Sequence, residues 1–177
     1  MKLNPEKHER KTTRLRGFDY SQAGYYFITI CTHKRFCCLG DVADGEMEVS
    51  EAGEIVQEVW GKLPQHYFYM CLDEFIIMPN HVHGIIQLTE KNSIPGRGGF
   101  RNPPLQPRHG LPEIVRGFKT WSARRINQLC GTLGEKFWQR SFYDHIIRDE
   151  DDLDNTRRYI RDNPLKWEYD QENPHTK

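Results

Sequence analysis

Two histidines one residue apart, His81 and His83, are the residues best placed to do chemistry in this sequence. They stand in Phe75-Ile-Ile-Met-Pro-Asn-His-Val-His-Gly-Ile-Ile-Gln-Leu88, where two short apolar runs flank a Pro79-Asn80 turn signal. That pattern predicts a buried hairpin. Side chains alternate faces along a strand, so Val82 points one way and both imidazoles the other. Two neighbouring imidazoles on a rigid strand can hold one metal ion. By softness they suit Mn²⁺, Ni²⁺ or Zn²⁺ better than Mg²⁺. Spacing alone is weak support, because a bare H-x-H is more often a pair of hydrogen-bonded strand histidines.

Two further stretches change that balance. Tyr159-Ile-Arg-Asp-Asn-Pro164 lies on a predicted helix, and Phe137-Trp-Gln-Arg-Ser-Phe-Tyr-Asp-His-Ile-Ile-Arg148 lies just before it. Met78-Pro-Asn-His-Val-His-Gly84 resembles the core motif of the HUH endonucleases. With the other two stretches, in the same order, it is similar to the single-tyrosine transposases, particularly the REP-associated tyrosine transposase branch. The resemblance runs from about residue 25 to residue 167. It implies a ferredoxin-like fold and metal-dependent cleavage and rejoining of single-stranded DNA at or near a hairpin. It also implies a covalent 5′-phosphotyrosine on Tyr159 and a Mg²⁺ or Mn²⁺ ion on His81 and His83. Asn163 replaces the second tyrosine of the paired-tyrosine class, and the family carries an amide at this place. An i+4 step puts its side chain one turn from Tyr159, about 6 Å away at the Cα. There Asn163 can serve as a third metal ligand, or simply end the helix before Pro164.

The residues themselves permit this chemistry. A phenolate in line with a phosphate can displace a 3′ oxygen, and a divalent ion can neutralise the phosphate. Any single tyrosine is more often a packing residue, and Tyr143 is the strongest rival nucleophile. No base stands beside Tyr159 in sequence. His145, next to Ile146 and Ile147, is expected to be structural.

With 177 residues and 37% hydrophobic side chains, the chain is long enough for one domain with a proper core. No apolar run approaches the ~18 residues of a membrane span. The charged first twenty residues argue against a secretory signal. Five cysteines without paired spacing argue against a disulfide framework or zinc ribbon, and fit a reducing cytoplasm. Net charge is zero, but residues 91–127 hold eight Lys/Arg against Glu113 alone, and residues 41–74 hold nine acids against Lys62 alone. Such segregation predicts a basic binding face opposite an acidic one. The expected phosphate contacts are Arg10, Lys11, Arg14 and Arg16 in an N-terminal arm, Arg97, Arg101 and Arg108 in a loop, and Arg116, Lys119, Arg124 and Arg125 on a helix.

Those elements form a simple series. Residues 1–20 make the basic arm, 21–170 an HUH-type catalytic domain, and 171–177 a tail. Residues 25–32 read as a first strand. Residues 35–40 and the Gly-Asp-containing stretch beyond them read as a loop, and Ser50 as the N-cap of an amphipathic helix that Pro64 stops. The Pro- and Gly-rich stretch at about 93–110 predicts a flexible loop. Residues 111–129 form a second amphipathic helix ended by Gly131, residues 137–147 a strand, and residues 149–162 a last helix. The resulting α+β order is β-α-β-β-α-β-α, with helices covering one side of a small antiparallel sheet. The expected partner is a single-stranded DNA hairpin, in the cytoplasm at the nucleoid. Monomer and homodimer are both open. A domesticated relative that grips folded nucleic acid without cutting, and a metal-dependent hydrolase unrelated to DNA, are the rival readings; the basic loop disfavours the latter.

Overall fold

The computed structural model describes residue 15 and residues 17–90, 109–170 and 172–174. Of the expected phosphate contacts, Arg10, Lys11, Arg14, Arg16, Arg97, Arg101 and Arg108 lie outside these residues, as does nearly all of the expected loop at 93–110.

Alternating apolar residues build a four-stranded antiparallel sheet. Its strands are β1 (Gly24–Cys31), β4 (Met70–Met78), β5 (His81–Leu88) and β6 (Tyr143–Ile147), ordered β4-β5-β1-β6. The central hairpin is tight: Met78 pairs with His81 across Pro79 and Asn80, so the two histidines begin β5 at once. The register then sets His83 opposite Thr29 and Ile85 opposite Phe27 on β1.

The sheet has two apolar faces. On one, Tyr26, Ile28, Ile30, Val82, Ile86 and Leu88 are buried against α1 (Glu51–Gly61) and α3 (Leu111–Cys130). Ser50 caps α1 by accepting from Gly53 N at 3.2 Å, and Gly131 ends α3 in the left-handed region at φ 69°. On the other face, Phe27, Ile85 and Ile147 pack against Leu153 and Ile160 of α4 (Glu150–Arg161). The sequence suggested helices on one side only. The structure corrects this, because β5 and β1 are apolar on both faces and each face needs a cover.

Several boundaries also move. Residues 40–49, expected as loop, form a small separate hairpin, β2 (Gly40–Ala43) with β3 (Glu46–Val49), turning through Asp44 at φ 51° and Gly45 at φ 78°. Pro64 does not stop a helix; it sits at the start of the short α2 (Leu63–His66), where its missing N–H costs nothing. The strand expected from residue 137 begins only at Tyr143, and Trp138 makes an isolated bridge to Thr32. The arm boundary at residue 20 falls inside the fold, since Phe18 and buried Tyr20 pack edge-on at 5.1 Å and Tyr20 donates to Asp144 at 2.6 Å.

α4 buries only Leu153 and Ile160, so polar contacts must fix its pose. A register shift between Leu72 and Phe75 interrupts β4 at Asp73 and Glu74. Arg157 takes both Asp73 oxygens, at 2.9 and 2.7 Å, and Arg161 reaches Glu74 at 3.0 Å. The bidentate pair holds the Asp73 carboxyl below its usual range, chiefly through the guanidinium hydrogen bonds.

Gly84, the residue after the histidines, has its own packing reason. A Cβ there would lie 2.5 Å from the Trp60 ring, which stacks on Phe75 at 4.4 Å. We expect Gly84→Ala to cost about 1–3 kcal/mol through overpacking, and to lower the melting midpoint accordingly. In a Trp60→Phe background the same substitution should cost much less. Equal costs in the two backgrounds, measured by thermal unfolding, would refute the clash.

Candidate active site

The site grows from the face of the sheet that α4 covers. His81 and His83 are buried, and their Nε2 atoms lie 3.0 Å apart. What aims them is the hydrogen bonding of their other nitrogens. Asn80 Nδ2 donates to Arg35 O at 3.2 Å and to Glu172 O at 2.7 Å. Carbonyls only accept, so the Asn80 amide has one orientation, with Oδ1 turned to His81 Nδ1 at 2.8 Å. Nδ1 of His81 therefore carries the proton and Nε2 carries a lone pair. His83 Nδ1 meets the Thr29 hydroxyl at 2.9 Å, which can accept or donate. When it accepts, both Nε2 lone pairs point at one place. When it donates, His83 Nε2–H bonds to His81 Nε2.

Burial holds both imidazoles neutral. The His81 pKa is depressed to about 3 by desolvation and the nearby Arg35 charge. That of His83 is driven well below the normal imidazole value, again chiefly by desolvation. Neutral imidazoles with aimed lone pairs are what a metal requires. Ligand bonds of about 2.1 Å at right angles would separate the two donors by about 3.0 Å, the spacing observed.

Asp170 converges on the two imidazoles, and Asn163 lines one cavity with His83. Asp170, just beyond the 3-10 turn Pro164–Tyr169, places a carboxylate oxygen within 4.8 Å of both histidine donors. Asn163 is buried, and its Oδ1 finds no hydrogen-bond partner among the described residues. A buried, orphaned amide oxygen on a residue lining the same cavity as His83 and Asp170 fits a hard or borderline divalent cation. Asp170 escaped the sequence reading because it lies eleven positions past Tyr159 with no regular spacing. The tail was expected to begin after residue 170. In fact Glu172 is tied to the site by Asn80, by Arg35 at 2.8 Å and by Cys31 at 3.4 Å.

Tyr159 enters from α4. Its hydroxyl is 3.4 Å from His83 Nε2, and its ring meets Phe27 edge-on. Tyr159, Asn163, His83, Thr29 and Asp170 line one cavity of about 550 Å³. Burial and the Asp170 charge raise the phenol's pKa above its usual 10, while the Asn163 amide pulls it down. The rival Tyr143 stands at the rim, on edge strand β6.

The four described basic residues expected at DNA are not brought to this cavity. Arg116, Lys119, Arg124 and Arg125 ride on α3, behind the other sheet face. Arg116 pairs with Glu113, Arg125 bonds Glu58 on α1 at 2.6 Å, and Lys119 Nζ donates to the Gln139 and Ser141 carbonyls. Because α1 and α3 pack side by side, the described parts of the acidic and basic segments meet at Arg125 and Glu58. Among the described residues no helix is long and apolar enough to cross a membrane.

Known proteins resemble this chain in sequence and fold. A Haemophilus influenzae protein of uncharacterized role is 36% identical, covering 96% of each chain. A second from that organism, named as a REP-associated tyrosine transposase, is 24% identical over 85% of this chain and 76% of its own. The model of the family described as "Transposase IS200 like" matches residues 104–163, the stretch holding Tyr159 and Asn163. The chain belongs to the IS200-like transposase family. Its fold is also that of the REP-associated tyrosine transposase solved bound to a REP hairpin (TM-score 0.58, 19% identity, 86% of this chain and 73% of that one). A transposase from Deinococcus radiodurans superposes with a TM-score of 0.50 at 19% identity, covering 83% of this chain and 94% of its own.

Within this IS200-like transposase, Asn80 carries the aim of His81. Outer partners of metal-binding histidines are worth roughly 10–100-fold in affinity. We expect Asn80→Leu to weaken Mn²⁺ binding by that factor in calorimetric titration, with circular dichroism confirming the fold. Wild-type affinity in a folded variant would contradict the role.

Proposed function

We propose that this transposase cuts and rejoins single-stranded DNA at or near a hairpin, with Tyr159 as nucleophile. The observation that carries the reading is the Tyr159 hydroxyl 3.4 Å from His83 Nε2, in a cavity shared with Asp170 and Asn163. His81, His83, Asp170 and Asn163 would hold a divalent ion, Mg²⁺ or Mn²⁺. Such an ion supplies positive charge that neutralises a phosphate and favours phenolate over phenol.

The chain's own residues position and carry the transfer. Phe27 and α4 orient the Tyr159 ring, and the Asn163 amide holds its oxygen. The phenolate oxygen bonds to phosphorus while the bond from phosphorus to the 3′ oxygen breaks, and that oxygen leaves and takes up a proton. The result is a 5′-phosphotyrosine on Tyr159 and a free 3′-hydroxyl. One phosphodiester replaces another, so a 3′-hydroxyl can reverse the step without ATP. The low-dielectric pocket strengthens each of these interactions relative to water.

The hairpin as partner is supported by the solved relative, which holds a REP hairpin. Arg10, Lys11, Arg14 and Arg16, with Arg97, Arg101 and Arg108, remain the residues proposed to meet its phosphates. Arg116, Lys119, Arg124 and Arg125 would serve only a stem that wraps behind the sheet.

Tyr159→Phe removes the hydroxyl and keeps the ring. With hairpin-bearing single strands and Mn²⁺, we expect wild type to form a protein–DNA adduct on a denaturing gel. The Phe variant should form none and bind the hairpin within about twofold of wild type. Undiminished adduct in the variant would remove Tyr159 from this role. Binding without any wild-type adduct would favour the non-cleaving reading instead.

A further inference from the structure

The 3-10 turn Pro164–Tyr169 presents one side to Tyr159. A 3-10 helix repeats every three residues, so side chains at i and i+3 stand one above the other. Lys166 N donates to Asn163 O at 3.0 Å, which starts that repeat at Asn163. Asn163, Lys166 and Tyr169 follow at steps of three, and all three line the cavity that holds Tyr159 and His83. Contacts elsewhere on the turn fix its rotation. Leu165 closes on the β2–β3 turn, where a Cβ at Gly45 would meet its Cδ2 at 2.6 Å. The Trp167 ring lies 6.0 Å from that of His81, and the Trp167 carbonyl accepts from Asn173 Nδ2 at 2.9 Å.

We propose that Lys166 is a further catalytic residue, whose ammonium binds a non-bridging oxygen of the phosphodiester that Tyr159 attacks. The inference rests on the DNA reading above. Charge in the cavity calls for a cation there. Asp170 and Glu172 both line it, and each carboxylate repels an incoming phosphate. Glu172 is answered by Arg35 at 2.8 Å. Among the described residues, Lys166 is the only Lys or Arg that lines this cavity.

Lys166 rests against Asp162, four residues back, with Nζ 3.4 Å from Oδ2 and both side chains at least half exposed. A long, solvent-exposed pair of that kind is worth little. The flexible four-carbon stem can therefore exchange the carboxylate for a phosphate oxygen. As the Tyr159 oxygen bonds to phosphorus and the bond to the 3′ oxygen breaks, charge shifts among the phosphate oxygens. A cation held beside them stabilises that redistribution. Lys166 keeps its protons throughout, and no bond to it forms or breaks. Its plainer role is a charge pair with Asp162 at the C-terminal end of α4, and the two roles predict different variants.

The test times covalent adduct formation on a denaturing gel for wild type, Lys166→Met, Lys166→Arg and Asp162→Asn. The probe is a labelled DNA hairpin with single-stranded flanks, in Mn²⁺ at fixed salt. Lys166→Met keeps the stem and removes the charge. Losing a buried donor at a developing charge costs about 10²–10³-fold. The Lys166 side chain is 63% exposed and partly screened, so we expect a loss of about 10- to 100-fold. Lys166→Arg keeps the charge and should run well above the Met variant. Asp162→Asn frees the ammonium and should run at least as fast as wild type. Calorimetric titration of the DNA-free proteins should give Lys166→Met the Mn²⁺ affinity of wild type. A Met variant at the wild-type rate overturns the proposal, as does an Arg variant as slow as Met. An Asp162→Asn variant as slow as Met, or a loss of Mn²⁺ affinity that matches the loss of rate, also overturns it. Absence of any adduct from wild type would overturn the cleavage reading itself, which separates the two failures.

Discussion

One side chain decides where the His81 lone pair points. The Asn80 amide donates to two carbonyls and can therefore only accept from His81, which forces the His81 proton onto Nδ1. The same amide fastens the backbone at Glu172, two residues past Asp170. Aiming the imidazole and placing the carboxylate segment are thus one event. The position is unforgiving, because Asn80 is wholly buried and each group left unpaired there costs about 1–3 kcal/mol.

The rest of the fold serves that corner from two sides. Behind it, Trp60 presses on Gly84 and stacks on Phe75, so the hairpin carrying the histidines cannot slide without losing its core contacts. In front of it, α4 has two buried aliphatic side chains and is pinned by Arg157 on Asp73 and Arg161 on Glu74. Those pairs sit where β4 breaks register, which turns both carboxylates toward the helix. Tyr159 lies between Arg157 and Arg161 in sequence, so the pins that place the helix also place the phenol. β5, α4 and the segment after it are thus tied together at the site by side-chain hydrogen bonds and ion pairs.

Much of this was legible in the chain. The alternation around Pro79-Asn80 gave the hairpin and the shared face of His81 and His83, and the resemblance singled out Tyr159 from seven other tyrosines. Periodicity placed α1 and α3, and the acids at 149–152 with Pro164 beyond placed α4. Three things were not legible. Asp170 joins the site through a 3-10 turn that has no sequence period. The β2–β3 hairpin carries a favoured Asp44-Gly45 turn, but its strands are only four residues each and largely exposed, so they do not stand out from loop. Among the described residues, the charge segregation does not separate α1 from α3, because the two helices pack against each other and Arg125 finds Glu58. Sequence charge runs say nothing of which helices will be neighbours.

The central claim is that His81 and His83 present two lone pairs to one ion in front of Tyr159. Anomalous diffraction from a crystal soaked in Mn²⁺ tests it most directly. The account predicts a single peak bonded to both Nε2 atoms at about 2.1 Å, with Asp170 and Asn163 in its shell and the Tyr159 hydroxyl facing it. A peak bound to one histidine alone, or none while the Nε2 atoms stay hydrogen-bonded to each other, would contradict it.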